Sequence, residues 1–182
     1  LIALVAGIGL SPTLRLDVER LAVAGFIANG DLVQTAAGPF VGALTLRGQG
    51  LDGTAQLRAA GTVQEADASL AGNGVTLALA TPVNIDRLRV TARLRLPESG
   101  PDIRADVDVT GLERGSLVLE RGSGALQLVD GRGTATARLD GSSAEKFHLA
   151  FTGEIAPGRW AISGGGDYAG QAARLATPAV IT

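Results

Sequence analysis

The sequence predicts an all-β protein: an elongated, curved antiparallel β-meander, taco-like or groove-like, with an aliphatic interior face. Apolar and polar residues alternate with a period of two from end to end, and no stretch shows a convincing helical period. The chain of 182 residues contains 26 Gly and 7 Pro, which separate short runs and argue against long helices. No linker or charge block interrupts this pattern, so we expect a single domain over residues 1–182.

A hairpin is the clearest local prediction. Residues 88–96 alternate Leu, Val and Ala with Arg and Thr, and residues 102–110 alternate Ile, Ala and Val with Asp, Arg and Thr. The segment 97–101, Pro-Glu-Ser-Gly-Pro, is typical of a turn between them. A slip of one residue would place apolar against polar side chains, so burial and charge together select one register. The predicted pairs are Arg95 with Asp102, Leu94 with Ile103, Val90 with Val107 and Arg89 with Asp108.

The same alternation recurs along the chain and predicts roughly a dozen strands spaced by about 10–13 residues. Residues 1–10 are apolar but too short for a membrane-spanning helix, and we expect a buried strand there. Gly164–Gly166 is interpreted as a bulge or sharp bend with no ligand. The predicted turns between strands include Gly72-Asn73-Gly74, Glu120-Arg121-Gly122, Asp130-Gly131-Arg132-Gly133 and Asp140-Gly141.

Composition excludes several classes of function. The chain has no Cys and one His, His148, so thiol chemistry and metal sites of several Cys or His ligands are excluded. The net charge of −2 provides no basic field for nucleic acid. The alternation places His148 on a polar face, as a solvated surface residue. We therefore expect no metal, no cofactor and no nucleic-acid partner.

The acidic residues of the hairpin are the remaining candidates for catalysis. Asp102, Asp106 and Asp108 share one strand face, but alternate residues stand about 7 Å apart, too far for two carboxylates to share a proton. Ion pairing with Arg89, Arg93 and Arg95 on the adjacent strand explains them instead. No nucleophile with a base is present, and we expect that the protein is not an enzyme.

The aliphatic face of the strands is the informative feature. With one Trp, one Tyr and four Phe, its lining must be Leu, Val, Ile and Ala. Such a sheet either folds over and closes a thin core, or curls without closing and leaves a groove that suits acyl chains. The residues expected to line a groove are Leu44, Leu46, Leu57, Leu77, Leu79, Leu94, Val107, Leu117, Leu119, Leu126, Leu128, Leu149 and Phe151.

The stretch from Gly133 to Thr182 resembles the translocation and assembly module inner-membrane component, the TamB-like branch of the AsmA-like proteins. The resemblance rests on Gly-Arg-Trp-x-Ile-Ser-Gly (158–164) and continues through Tyr-Ala-Gly-Gln (168–171) to Arg-Leu-Ala-x-Pro-Ala (174–179). It covers about 50 residues; the earlier strands share only the style of alternation.

This resemblance implies a section of a periplasm-spanning β-groove protein that is anchored in the bacterial inner membrane. Its function would be to move phospholipids between the two membranes, to support outer-membrane protein assembly, or both. The implied partners are phospholipid acyl chains, an outer-membrane barrel and neighbouring β repeats of the same chain. The first residue is Leu and no Met occurs, so we expect an interior section whose two end strands have open edges. The alternative is a structural β-solenoid or adhesin-type stalk with a closed aliphatic core and no bound lipid.

Overall fold

The computed structural model describes the backbone of residues 2–11, 13–23, 26–77 and 79–181, and the side chains of 14–16, 27–77 and 79–181. Within these ranges the chain forms fourteen strands and no helix. The strands are β1 Ile2–Ser11, β2 Thr13–Val23, β3 Phe26–Gln34, β4 Phe40–Gly48, β5 Leu51–Ala60, β6 Val63–Leu77, β7 Val83–Leu96, β8 Asp102–Arg114, β9 Leu117–Val129, β10 Arg132–Ser143, β11 Glu145–Ala156, β12 Arg159–Tyr168, β13 Gln171–Arg174 and β14 Ala179–Ile181.

All strands belong to one open sheet. β1 to β12 lie side by side in chain order, and each pairs antiparallel with the next because short turns permit no parallel crossover. Among the described residues, the extensive contacts between strands all join neighbours in this sheet. The predicted all-β, curved antiparallel meander is therefore confirmed, and the sheet does not close into a barrel.

The hairpin of β7 and β8 has the predicted register. Leu94 lies opposite Ile103 and Val90 opposite Val107, while Arg95 lies opposite Asp102. Arg89 likewise faces Asp108. Residues directly opposite each other in an antiparallel pair project to the same face, so one face of the hairpin is aliphatic and the other is charged.

Three of the predicted turns are wrong, because their glycines lie inside strands. Gly72-Asn73-Gly74 belongs to β6, Glu120-Arg121-Gly122 to β9 and Asp140-Gly141 to β10. The turn at Asp130-Gly131 joins β9 and β10 as predicted, and the segment 97–101 joins β7 and β8. Glycine marks bulges as well as turns, and the local sequence does not distinguish them.

Gly74 of β6 and Gly111 of β8 lie in a line of unpaired residues that crosses four strands. Gly74, Asp86, Gly111 and Glu120 each stand unpaired between two paired residues, at one level of the sheet. Gly74 and Gly111 have φ of 60° and 63°, a conformation that favours glycine. We call these four residues the unpaired line. Since each shifts the alternation by one residue, apolar side chains stay on the same face on both sides of the line.

A buried aliphatic cluster forms beside this line. Leu51, Val75, Val83 and Ile85 are buried together, and Val75 is only 1% exposed. Leu70 and Leu88, on the other side of the line, pack against them. The cluster fills one end of the apolar face.

Gly164–Gly166 is not a bulge, which corrects the prediction. The three glycines lie within β12 and pair with β11 in unbroken register. A Cβ on Gly164 would collide with the ring of Phe151, and one on Gly166 with the carbonyl oxygen of His148. Glycine is needed here because the ring of Phe151 lies over Gly164 and the backbone of β11 leaves no room for a side chain at Gly166.

The two ends of the sheet differ. β1 confirms the strand predicted for residues 1–10, but the burial predicted for it lies outside the described side chains. At the other end β12 is not an open edge, since the chain turns back at Ala169 and Gly170. β13 and β14 then pair with its outer side. No helix in the described residues is long and apolar enough to cross a membrane.

Candidate functional site

The apolar face of the sheet is the candidate site, and the register shows how its residues line up across strands. Leu57, Ala66, Leu94, Ile103 and Leu128 follow one another in directly opposed pairs from β5 to β9. Each opposed pair is about 4.5–5.5 Å apart at Cβ, so the side chains form a continuous aliphatic row perpendicular to the strands. Parallel rows lie two residues away along each strand.

The structure places the predicted groove residues on this face with one exception. Leu79 lies in the connection between β6 and β7 and is 58% exposed, so it is not part of the sheet surface. Val107 is on the face and remains exposed, whereas Leu119 is buried. The other predicted residues are partly buried on the face: Leu44, Leu46, Leu57, Leu77, Leu94, Leu117, Leu126, Leu128, Leu149 and Phe151.

A row of alanines next to these residues was missed by sequence reasoning. Ala55 lies opposite Ala68, which lies opposite Ala92, which in turn lies opposite Ala105. We call these four residues the alanine row. Leu44 continues the row at the β4 end and Leu126 at the β9 end. Alternation alone puts each alanine on the apolar face, but only the register across four strands aligns them.

A hollow of about 250 Å³ lies above part of this row. Ala55, Ala68 and Ala92 line it together with Gly53, and Leu70 and Val90 stand along one side. Cδ1 of Leu70 lies over Gly53, where a Cβ would be only 2.8 Å away. The hollow exists because small residues are side by side where large ones would fill the face.

Between the strand ends, the apolar face of β4–β12 carries no charged side chain within the described residues. The charges stand on the opposite face. There Asp67 bridges Arg58 and Arg93, and Arg95 lies 3.4 Å from Glu65 and 3.7 Å from Asp102.

The expected ion pairs of the hairpin form only in part. Arg95 pairs with Asp102 as expected, but Arg89 forms no ion pair with Asp108 among the described residues, and Arg93 pairs with Asp67 of β6. The reason is the register, because Arg93 lies opposite Asp67 on one side and opposite Arg104 on the other. The polar face is thus a charged surface with local ion pairs.

His148 is exposed on the polar face, as predicted. Its Nδ1 lies 2.8 Å from Oδ1 of Asp140, which is directly opposite on β10. The described residues include no group of three or more acidic or His side chains arranged to hold a metal ion. We take the apolar face as the candidate site because of its continuous aliphatic rows.

The fold and this face define a class of protein: an open, single-layer antiparallel meander with one aliphatic and one charged surface. Comparisons with family models, with curated proteins and with solved structures found no match for the chain. The resemblance to the TamB-like proteins accordingly stays a hypothesis.

Proposed function

We propose that the apolar face binds the acyl chains of phospholipids, and that the chain is a section of a periplasmic β-groove that moves phospholipids between inner and outer membranes or supports outer-membrane protein assembly. One observation carries the proposal. An aliphatic surface free of charge extends across β4–β12, and in the described residues no second layer covers it.

An uncovered surface of this kind is unfavourable in water, at roughly 25 cal/mol for each Å² of apolar area. Large contiguous apolar patches on soluble domains mark binding sites. Acyl chains suit this one because they bury apolar area and require no hydrogen bonds, and the face offers none.

The position of the charges supports the same ligand. An acyl chain on the apolar face keeps its polar head at the margin of the sheet, where water solvates it. Arg and Asp side chains such as Arg93 and Asp106 project from the other face and do not hold a head group within the path. The apolar rows run perpendicular to the strands, so the path passes from strand to strand along the meander.

Photo-crosslinking in cells tests the proposal. A photoreactive amino acid at Leu126, on the apolar face of β9, is expected to form phospholipid adducts. The same amino acid at Arg138, exposed on the polar face of β10, is expected to form none.

A charge substitution provides the second arm. Leu126→Arg is expected to abolish the adducts formed from a photoreactive group at Leu94, because an unpaired charge among apolar groups costs several kcal/mol. Gln127→Arg, one residue away on the exposed polar face, is the matched control and should leave the adducts unchanged. Absence of lipid at both Leu126 and Arg138, with the apolar face shielded from solvent, would instead favour the closed structural stalk.

A further inference from the structure

We propose that the alanine row and the hollow above it form a distinct subsite that holds one extended hydrocarbon chain of the fatty-acyl class, lying across the strands. The inference takes its ligand class from the proposed function and adds the position, orientation and number of chains. It rests on the run of four directly opposed alanines and on the hollow that three of them, Ala55, Ala68 and Ala92, line.

The length of the row sets the length of chain. Neighbouring strands lie about 4.8 Å apart, so the three steps from Ala55 to Ala105 span about 14 Å. A bond of about 1.52 Å with a tetrahedral angle advances an extended chain by about 1.25 Å, so the row matches about a dozen methylenes. Leu44 and Leu126 rise from the surface at the two ends and mark where this floor stops.

The width of the subsite selects a single narrow chain. On β7, Leu94 and Val90 stand on either side of Ala92, each two residues away and about 6.8 Å from it at Cα. Leu70 occupies the equivalent position beside Ala68 on β6. After the bulk of these flanking side chains is subtracted, the floor is narrower than an α-helix, which is about 10–12 Å across with its side chains.

The sheet also disfavours an extended peptide in the subsite. The backbone groups of β5–β8 already pair with each other, so a peptide laid on their face would lose water from its own N–H and C=O groups without gaining partners. No charged side chain lines the hollow, and charge complementarity therefore favours an uncharged chain. A hydrocarbon chain meets both conditions.

Equilibrium binding of dodecanoate to the 182-residue chain, below its micelle concentration, tests the subsite. Ala68→Phe fills the floor with a ring and is expected to lower the affinity about tenfold. Ala71→Phe is the matched control, on the same strand and also exposed but on the polar face, and it should bind as the unmodified chain does. Ala92→Leu, a smaller intrusion, should give an intermediate loss. Affinity should rise from octanoate to dodecanoate and change little up to hexadecanoate.

Far-UV circular dichroism of each variant checks that the sheet is retained. We expect that it is, because Ala68 is exposed and a ring there displaces no packed group. Unchanged binding by both Ala68→Phe and Ala92→Leu would overturn the subsite, and so would an equal loss in Ala71→Phe. A chain that binds no dodecanoate and sediments as a dimer, which Ala68→Phe converts to a monomer, would assign the face to a second copy. Lipid adducts at Leu126 that persist in Ala68→Phe would refute the subsite and leave the proposed function standing. Dodecanoate binding that Ala68→Phe weakens, without any lipid adduct in cells, would support the subsite and refute the proposed function.

Discussion

Two regions of the apolar face follow the same alternating pattern but differ in burial: one is packed and the other is open. Beyond the unpaired line, Val75 and Ile85 are buried against Leu51. Six residues from the line along each strand, at the level of Ala68 and Ala92, the face is open and a hollow remains. Both regions are formed by β6 and β7, so strand type and pairing do not cause the difference.

Side-chain size accounts for the difference. Branched side chains beside the unpaired line pack together and exclude water, whereas the alanines are too short to fill the space above them. One region therefore stabilises the sheet and the other is available to a ligand. This separation predicts that substitutions in the first region change the free energy of unfolding far more than substitutions in the second.

The largest effect is expected for Ile85→Ala. Ile85 is 6% exposed in the buried cluster, and removal of its side chain should lower the free energy of unfolding by about 2–5 kcal/mol. Leu96→Ala on the same strand, where the side chain is 45% exposed, should cost less than about 1 kcal/mol. Urea denaturation followed by circular dichroism measures both. Equal losses would show that the cluster is not the stabilising region.

An intermediate effect is expected for the glycines of the apolar face. A Cβ on Gly122 would lie 2.7 Å from Cγ1 of Val109 and 2.9 Å from Cδ2 of Leu119, so Gly122→Ala should destabilise the protein by about 1–3 kcal/mol. Gly153 has room, with Cβ of Ala135 3.7 Å away, and its φ is not in the left-handed region. Gly153→Ala should therefore be neutral or stabilise by up to about 1 kcal/mol, because alanine restricts the unfolded chain. Urea denaturation curves measure the change in the free energy of unfolding for both variants. An equal loss in Gly122→Ala and Gly153→Ala would contradict the packing described for Gly122.

The sequence predicted the fold and the hairpin register for a clear physical reason. Over residues 88–96 and 102–110 apolar positions alternate strictly with charged or polar ones, so only one pairing satisfies both faces. The turns failed at Gly72–Gly74 and Asp140–Gly141, because glycine serves turns, bulges and crowded strand positions alike. The groove residues on strands could be chosen from alternation. Leu79 could be rejected only once the structure showed that β6 ends at Leu77.

The alanine row was beyond the reach of sequence reasoning. Alanine is common on both faces, as Ala68 and Ala71 on β6 show, and gives no local sign of a site. The row appears only when the registers of β5 to β8 are combined. Because four strands form the row together, no pattern within any one strand of the sequence indicates it.

The smallest effect is expected on the polar face, where Arg95 contacts Glu65 and Asp102, and all three side chains are at least 30% exposed. Arg95→Ala should cost about 0.2–1 kcal/mol, because exposed ion pairs are weakened by water and by the loss of side-chain freedom. The cost should shrink further in 1 M NaCl, where the screening length falls to about 3 Å. Arg89→Ala is the control, since Arg89 faces Asp108 without an ion pair among the described residues, and its cost should be smaller than that of Arg95 and independent of salt. If Arg95→Ala instead destabilised the protein as much as Ile85→Ala, the charged face and not the aliphatic cluster would hold the sheet together. The expected ranking follows from burial alone: the charges help to select which residues lie opposite each other, while the aliphatic side chains supply the free energy that keeps the strands in place.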